Sequence, residues 1–212
     1  MDNYAELVRK WEEIYGGFDV DTNYNHLAVK GLDKESGWIR GEIVKTVKAI
    51  RVPVHRVLLP GEHNSTKEAY AKFLGISAKN ITTAGLHKHV DFRWDFEKKP
   101  PNIGHFDLII SQAILEHLID PYNHVKDLYA VLKPGGNMIL HTVIPGFPYH
   151  RHPVDCMRFF PDWFELIAQR LKLDIAEKYL GEGRIMYRYI KNQKPKKNML
   201  KRIIGLINST RK

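Results

Sequence analysis

Apolar residues along the chain follow two rhythms that take turns. Short runs without strict alternation occur at Arg56–Leu59, Asn80–Ala84, Phe106–Ser111 and Asn137–Val143, the pattern expected of strands buried on both faces. Between and before them the spacing turns helical. Ser36 to Ile50 carries Ile39, Ile43, Val47 and Ile50 on one stripe, and Pro121–Leu132 carries Val125, Leu128, Tyr129 and Leu132 at i, i+3, i+4 and i+7. Lys133-Pro134-Gly135-Gly136 reads as the stop of that helix, and Pro161 as the start of another with Phe164, Ile167 and Leu171 inward. Two last strand-like runs, Leu173–Tyr179 and Ile185–Ile190, are separated by Leu180-Gly181-Glu182-Gly183, short enough for a hairpin. Strands alternating with helices predict βαβ units and a parallel sheet.

The organisation that follows is a helical N-terminal cap over residues 1–51, one α/β domain over 52–191 and a tail over 192–212. The cap opens on an amphipathic segment with Leu7, Trp11 and Ile14 at helical spacing, then a polar loop from residue 16 to 36. No internal repeat is visible. At 212 residues the chain suits one domain with a sizeable core. No apolar run is long enough to span a bilayer, and the N-terminus lacks the pattern of a secretory signal, so a cytoplasmic protein is expected. The single cysteine, Cys156, cannot form an internal disulfide, which fits a reducing compartment.

The net charge of +9 changes the picture less than it promises. Eight Lys and Arg lie between Lys191 and Lys212 with no acidic residue among them, which leaves 25 basic against 24 acidic side chains in the rest. A folded nucleic-acid-binding face needs its charge on the domain, so nucleic acid is not the expected substrate. In the tail, Met199, Leu200, Ile203, Ile204 and Ile207 share one helical face with basic residues opposite. Such a segment can touch an anionic membrane surface, on the inner face if the protein is cytoplasmic, but a solvated tail is the default reading and Gly205 weakens the helix.

Phe106-Asp107-Leu108-Ile109-Ile110-Ser111, then Leu115-Glu116-His117, then Asp120-Pro121 and finally Leu132-Lys133-Pro134-Gly135-Gly136 occur in that order. Together they resemble the class I S-adenosylmethionine-dependent methyltransferases, in their small-molecule branch. The resemblance spans roughly residues 52 to 191. It implies a Rossmann-like, doubly wound α/β fold with a seven-stranded sheet whose last strand is antiparallel, and S-adenosylmethionine held across the carboxyl ends of the first strands. A small-molecule acceptor, such as a sugar or a phosphate-bearing metabolite, methylated on O or N, is the expected partner.

The first motif departs from the family. In Val57-Leu58-Leu59-Pro60-Gly61-Glu62-His63-Asn64-Ser65 only Gly61 survives of the three glycines, with His63 and Ser65 in the other places and Leu59 where an acid belongs. Ser65-Thr66-Lys67-Glu68 reads as a capping box opening a Tyr70–Leu74 helix that Gly75 ends. This stretch is either a rewritten cofactor loop through Gly61, Glu62 and His63 or a plain strand-to-helix cap. The acid that should take the ribose hydroxyls at the end of the second strand is replaced by Gly85. Asp91 can take that role or be an ordinary loop acid. Asp95-Phe96 corresponds to the adenine-contacting position, and Ser111 and Gln112 to residues passing beneath the cofactor.

An alcohol acceptor must lose a proton, for which a near-neutral histidine is suited. His117 follows the fourth strand, as a base or as a structural residue. The Pro-rich loop from Val143 to Phe159 gathers Tyr149, His150, Arg151, His152, Asp155 and Arg158. It offers His150 or His152 as general base and Tyr149, Arg151, Asp155 and Arg158 as acceptor contacts. The bland alternative is a loop pinned by Asp155–Arg158 pairing. His150-x-His152 with Asp155 invites a metal reading, but no second cluster completes it in sequence, so no metal is expected. A non-catalytic methyltransferase-like subunit is the competing reading of the whole chain.

Overall fold

A computed structural model describes residues 39–150 and 154–192. The helix expected around Leu7 to Ile14, the basic tail beyond Asn192, and Arg151 and His152 lie outside the described residues. Of the N-terminal cap, one helix is described, α1 (Gly41–Lys48), which buries Ile43, Val44 and Val47.

The strands are β1 (Val57–Pro60), β2 (Ile81–Gly85), β3 (Phe92–Arg93), β4 (Phe106–Gln112), β5 (Leu132–Val143), β6 (Leu173–Gly181) and β7 (Arg184–Lys191). They form one seven-stranded sheet in the order β3-β2-β1-β4-β5-β7-β6, with β7 antiparallel to both of its neighbours. The helices α2 (Lys67–Leu74), α3 (Pro121–Val131) and α4 (Pro161–Leu171) complete the element list. The expected α/β sheet with an antiparallel last strand is therefore present.

Alternation along β1 divides the core. Val57 and Leu59 join Ile43, Tyr70 and Ile81 on one face, whereas Leu58 joins Phe106, Leu128 and Phe164 on the other. Helices cover both faces, which is why the central strands read as unbroken apolar runs.

Three local expectations need correction. The capping box is not formed: α2 is preceded by a 3-10 turn at Asn64–Thr66 and has Thr66 as its N-cap without a side-chain cap. The Thr66 hydroxyl donates instead to the His63 carbonyl at 2.8 Å, a local bond that competes with capping. The helix does end before Lys133, at Val131, but the next strand starts earlier than expected: β5 begins at Leu132, and Lys133 to Gly136 ride in a register shift against β4. The segment between β2 and Phe92 holds no helix, and Phe92–Arg93, not among the expected strand runs, pairs with β2 as a short third strand. The Glu182-Gly183 turn between β6 and β7 has φ values of 50° and 76°, the left-handed pair a two-residue hairpin demands.

Candidate functional site

The carboxyl ends of β1, β2, β4 and β5 meet at one edge of the sheet, the edge where open α/β folds bind ligands. Gly61 leaves β1 with φ +80°, and its N–H donates to the Ala84 carbonyl at 2.7 Å, drawing it toward the end of β2. A Cβ on Gly85 would sit 3.7 Å from the Gly61 Cα and 3.9 Å from the Phe96 ring. The two glycines and the Phe96 ring thus lie side by side at this edge. Here too Ala113 turns with φ 52° directly after β4, in the region glycine favours. That turn brings Ile114 over Gly61: a Cβ there would meet Ile114 Cδ1 at 2.2 Å.

The acids expected at this end are spent on the scaffold. Asp91 accepts from Lys67 Nζ at 2.7 Å and 2.5 Å and from the Thr83 backbone N–H at 3.0 Å, tying β2 to α2. Asp95 pairs with Lys98 at 3.1 Å and caps the Glu97 N–H at 3.1 Å; Lys98 holds its carboxyl below the usual range. Gln112 accepts from the Arg40 N–H at 3.2 Å and so docks the chain entering α1. Glu62 turns inward against Tyr70, whose hydroxyl lies 3.1 Å away, and burial pushes its carboxyl up to about 8. His63 stacks on His87 with ring centroids 3.7 Å apart, and His89 lies at 6.5 Å, an exposed imidazole group the sequence did not single out. Ser111 is buried with its Oγ unpartnered at the end of β4.

The other half of the edge holds a different arrangement. Leu115–His117 form a 3-10 turn that buries Glu116 completely. One carboxylate oxygen, Oε2, accepts from the Thr142 hydroxyl of β5 at 2.6 Å, while Oε1 has no hydrogen-bond partner. The Nε2 atoms of His117 and His150 stand 4.0 Å and 3.9 Å from that oxygen. Their rings are 5.0 Å apart and close to perpendicular. His117 Nδ1 contacts the Val154 carbonyl, and His150 Nδ1 faces the Pro148 carbonyl at 3.4 Å and Asp155 Oδ2 at 3.5 Å. Burial lowers the His150 pKa from its ordinary value, with Asp155 and Glu116 opposing.

Asp155 organises this loop. It accepts from the His150 backbone N–H at 2.7 Å and binds Arg158 through both carboxylate oxygens. Arg158 also donates to the carbonyls of Phe147, Met157 and Pro148, so its guanidinium is fully engaged in pinning the loop. The pinned-loop reading therefore holds for Asp155 and Arg158. Tyr149 is half-buried on the same loop. His117 and His150, proposed separately from sequence, are brought together; Glu116 and Thr142, which hold them in a common site, were not among the expected residues. The signal for Glu116 was its place beside His117.

Gly61, Gly85 and Phe96 are the residues at this edge that could hold S-adenosylmethionine. Two positions without Cβ atoms let a ligand approach backbone, and Phe96 offers a face to adenine. The obstruction over Gly61 is the far end of the flexible Ile114 side chain, not backbone.

A family model described as a methyltransferase domain matches residues 67–140. The tRNA U34 carboxymethyltransferase of Hahella chejuensis is 41% identical over 51 residues, 24% of this chain and 16% of that protein. The ubiquinone biosynthesis O-methyltransferase of Aromatoleum aromaticum is 20% identical over 147 residues, 69% of this chain and 63% of that one. The chain thus spans less than two thirds of these relatives. Among solved structures, a Haloferax volcanii putative methyltransferase, in complex with the Trm112 activator, superposes with TM-score 0.58 at 14% identity, covering 84% of this chain and 100% of that one. The N-methyltransferase NodS of Bradyrhizobium japonicum, with S-adenosyl-L-homocysteine, gives TM-score 0.53 at 15% identity, covering 81% and 97%. Residues 67–140 thus match a methyltransferase domain model, and the seven-stranded sheet with its antiparallel β7 is the fold of the solved methyltransferases on which the chain superposes.

Proposed function

We propose that the protein transfers a methyl group from S-adenosylmethionine to an oxygen or nitrogen of a small molecule bearing an ionisable acceptor. The observation that carries this reading is the buried Glu116, His117 and His150 group, at the same edge of the sheet as Gly61, Gly85 and Phe96. When bound, S-adenosylmethionine supplies a methyl group activated by its sulfonium. Gly61 and Gly85 admit its backbone-facing parts, Phe96 covers its adenine, and Ser111 Oγ is left free for a polar contact beneath it. His117 and His150 hold their Nε2 atoms toward Glu116 Oε1, where an acceptor proton can be taken. The Asp155–Arg158 pair keeps His150 in place and shields the acceptor end from water. Among described residues no helix is long and apolar enough to cross a membrane. The near neutrality of the domain supports a small acceptor over a nucleic acid, even though one relative carries a tRNA modification name.

Calorimetric titration with S-adenosylhomocysteine tests the reading: binding in the micromolar range is expected. Absence of binding at millimolar concentration would sink it. A second reading, a methyltransferase-like subunit without activity, has one observation in its favour, the Ile114 side chain over Gly61. It predicts no binding until Ile114 is shortened, so Ile114→Ala separates the two.

A further inference from the structure

We infer that Glu116, His117 and His150 form a binding site for a divalent transition-metal ion of the zinc type, which holds the acceptor oxygen. One carboxylate oxygen and one ring nitrogen from each histidine lie within 4.8 Å of one another. The chemistry of these atoms is the argument. His117 Nδ1 faces the Val154 carbonyl, which can only accept, so Nδ1 carries the proton and Nε2 presents its lone pair. His150 Nδ1 likewise faces two acceptors, the Pro148 carbonyl and Asp155 Oδ2. Both Nε2 lone pairs then point toward Glu116 Oε1, a fully buried oxygen without a donor.

Three electron-pair donors converging in a buried space repel one another unless a cation lies between them. The outer contacts are those of a metal centre: each imidazole is oriented through Nδ1 by a carbonyl or carboxylate, and the carboxylate by the Thr142 hydroxyl. Ligands about 2.1 Å from a tetrahedral ion stand about 3.4 Å apart, so the two carboxylate–imidazole distances of 3.9 Å and 4.0 Å need contract by about half an ångström, while the two imidazole nitrogens lie within 4.8 Å of each other. Two imidazoles and one carboxylate favour zinc over magnesium, which prefers oxygen donors, and three protein ligands leave a position open.

The role given to the ion rests on the methyl-transfer reading; its binding does not. With the ion bound, the Nε2 atoms of His117 and His150 would be its ligands in place of acting as the base, and an acceptor hydroxyl would lose its proton to water more readily as it enters the open position. Its oxygen lone pair would form the new C–O bond as the sulfonium C–S bond breaks, the electron pair staying on sulfur, with no change of oxidation state.

The test is dialysis of the full chain against Zn2+ and, separately, Co2+, followed by elemental analysis and visible spectroscopy. One equivalent of metal is expected, with Co2+ giving d–d bands typical of low coordination. In His117→Ala and in His150→Ala the bands and the bound equivalent should be lost, while His87→Ala, in the exposed imidazole group, keeps both. Stoichiometry below one tenth in the unaltered chain, or retention in both ligand variants, overturns the inference. S-adenosylhomocysteine titration is run alongside: metal without S-adenosylhomocysteine binding leaves the site and removes the transferase role, whereas S-adenosylhomocysteine binding without metal removes the site alone.

Discussion

Asp91 and Glu116 are carboxylates that both lie beyond the carboxyl ends of parallel strands, β2 and β4, at the same edge of the sheet. Asp91 is exposed and has its oxygens taken by Lys67 and the Thr83 N–H. Glu116 is buried and keeps one oxygen without a donor, facing two imidazoles. A satisfied carboxylate holds scaffold together. A buried unsatisfied one costs stability, and the fold tolerates that cost where a ligand completes it. The same contrast runs through the wider regions. Around β1 and β2, the proposed cofactor side, Asp95 and Gln112 also serve the scaffold, leaving glycines and an aromatic ring beside one another. On the acceptor side a pinned loop aims its polar groups at one point.

Five experiments would break or sharpen that contrast. The largest effect is expected for Glu116→Ala: methyl transfer, read as S-adenosylhomocysteine released in the presence of acceptor, should fall about 100-fold or more, with S-adenosylhomocysteine affinity within threefold. Equal losses of both would merge the two regions into one. Next comes Glu62, the buried carboxyl of the cofactor side. Burial raises its folded pKa to about 8 from the ordinary 4.5, so the folded state holds the proton more tightly. The stability this contributes is fully present below about pH 4.5 and is lost as pH rises through 8. Chemical denaturation should lose on the order of 2 kcal/mol between pH 6 and 8, and Glu62→Gln should flatten that slope.

Gly61→Ala places a methyl group against Ile114 at φ +80° and should weaken S-adenosylhomocysteine about tenfold by calorimetry. An unchanged affinity would move the cofactor away from this glycine. Phe96→Ala should cost a comparable or slightly smaller factor, since stacking a base on an aromatic ring is worth about 1–3 kcal/mol and the ring here is only half-buried. The smallest change is expected for Asp91→Asn: affinity within threefold, with a modest loss of thermal stability. A tenfold loss of affinity there would return Asp91 to the ribose and erase the contrast from which it was drawn.

His124 shows how burial without a partner differs from a site. Both of its ring nitrogens lack hydrogen-bond partners, and burial alone lowers its pKa to about 3. It sits against Trp94 and Phe96, so a neutral ring packs among aromatics. No second polar group converges on it, unlike the space between His117 and His150. Convergence, rather than burial, marks the acceptor end.

The sequence alone determined the order of strands and helices, the two-faced burial of the sheet and the antiparallel hairpin, because period-2 and period-3.6 patterns and turn residues are local signals. It also marked Gly61, Gly85, Phe96, His117 and His150, whose residue types stand out in place. It did not determine which carboxylates were free. Asp91 meets Lys67 across 24 residues, and Glu116 meets Thr142 across 26, separations at which no local pattern records a partner. Only the closed sheet, by bringing the ends of β4 and β5 side by side, decided that Glu116 keeps an unpartnered oxygen between two histidines.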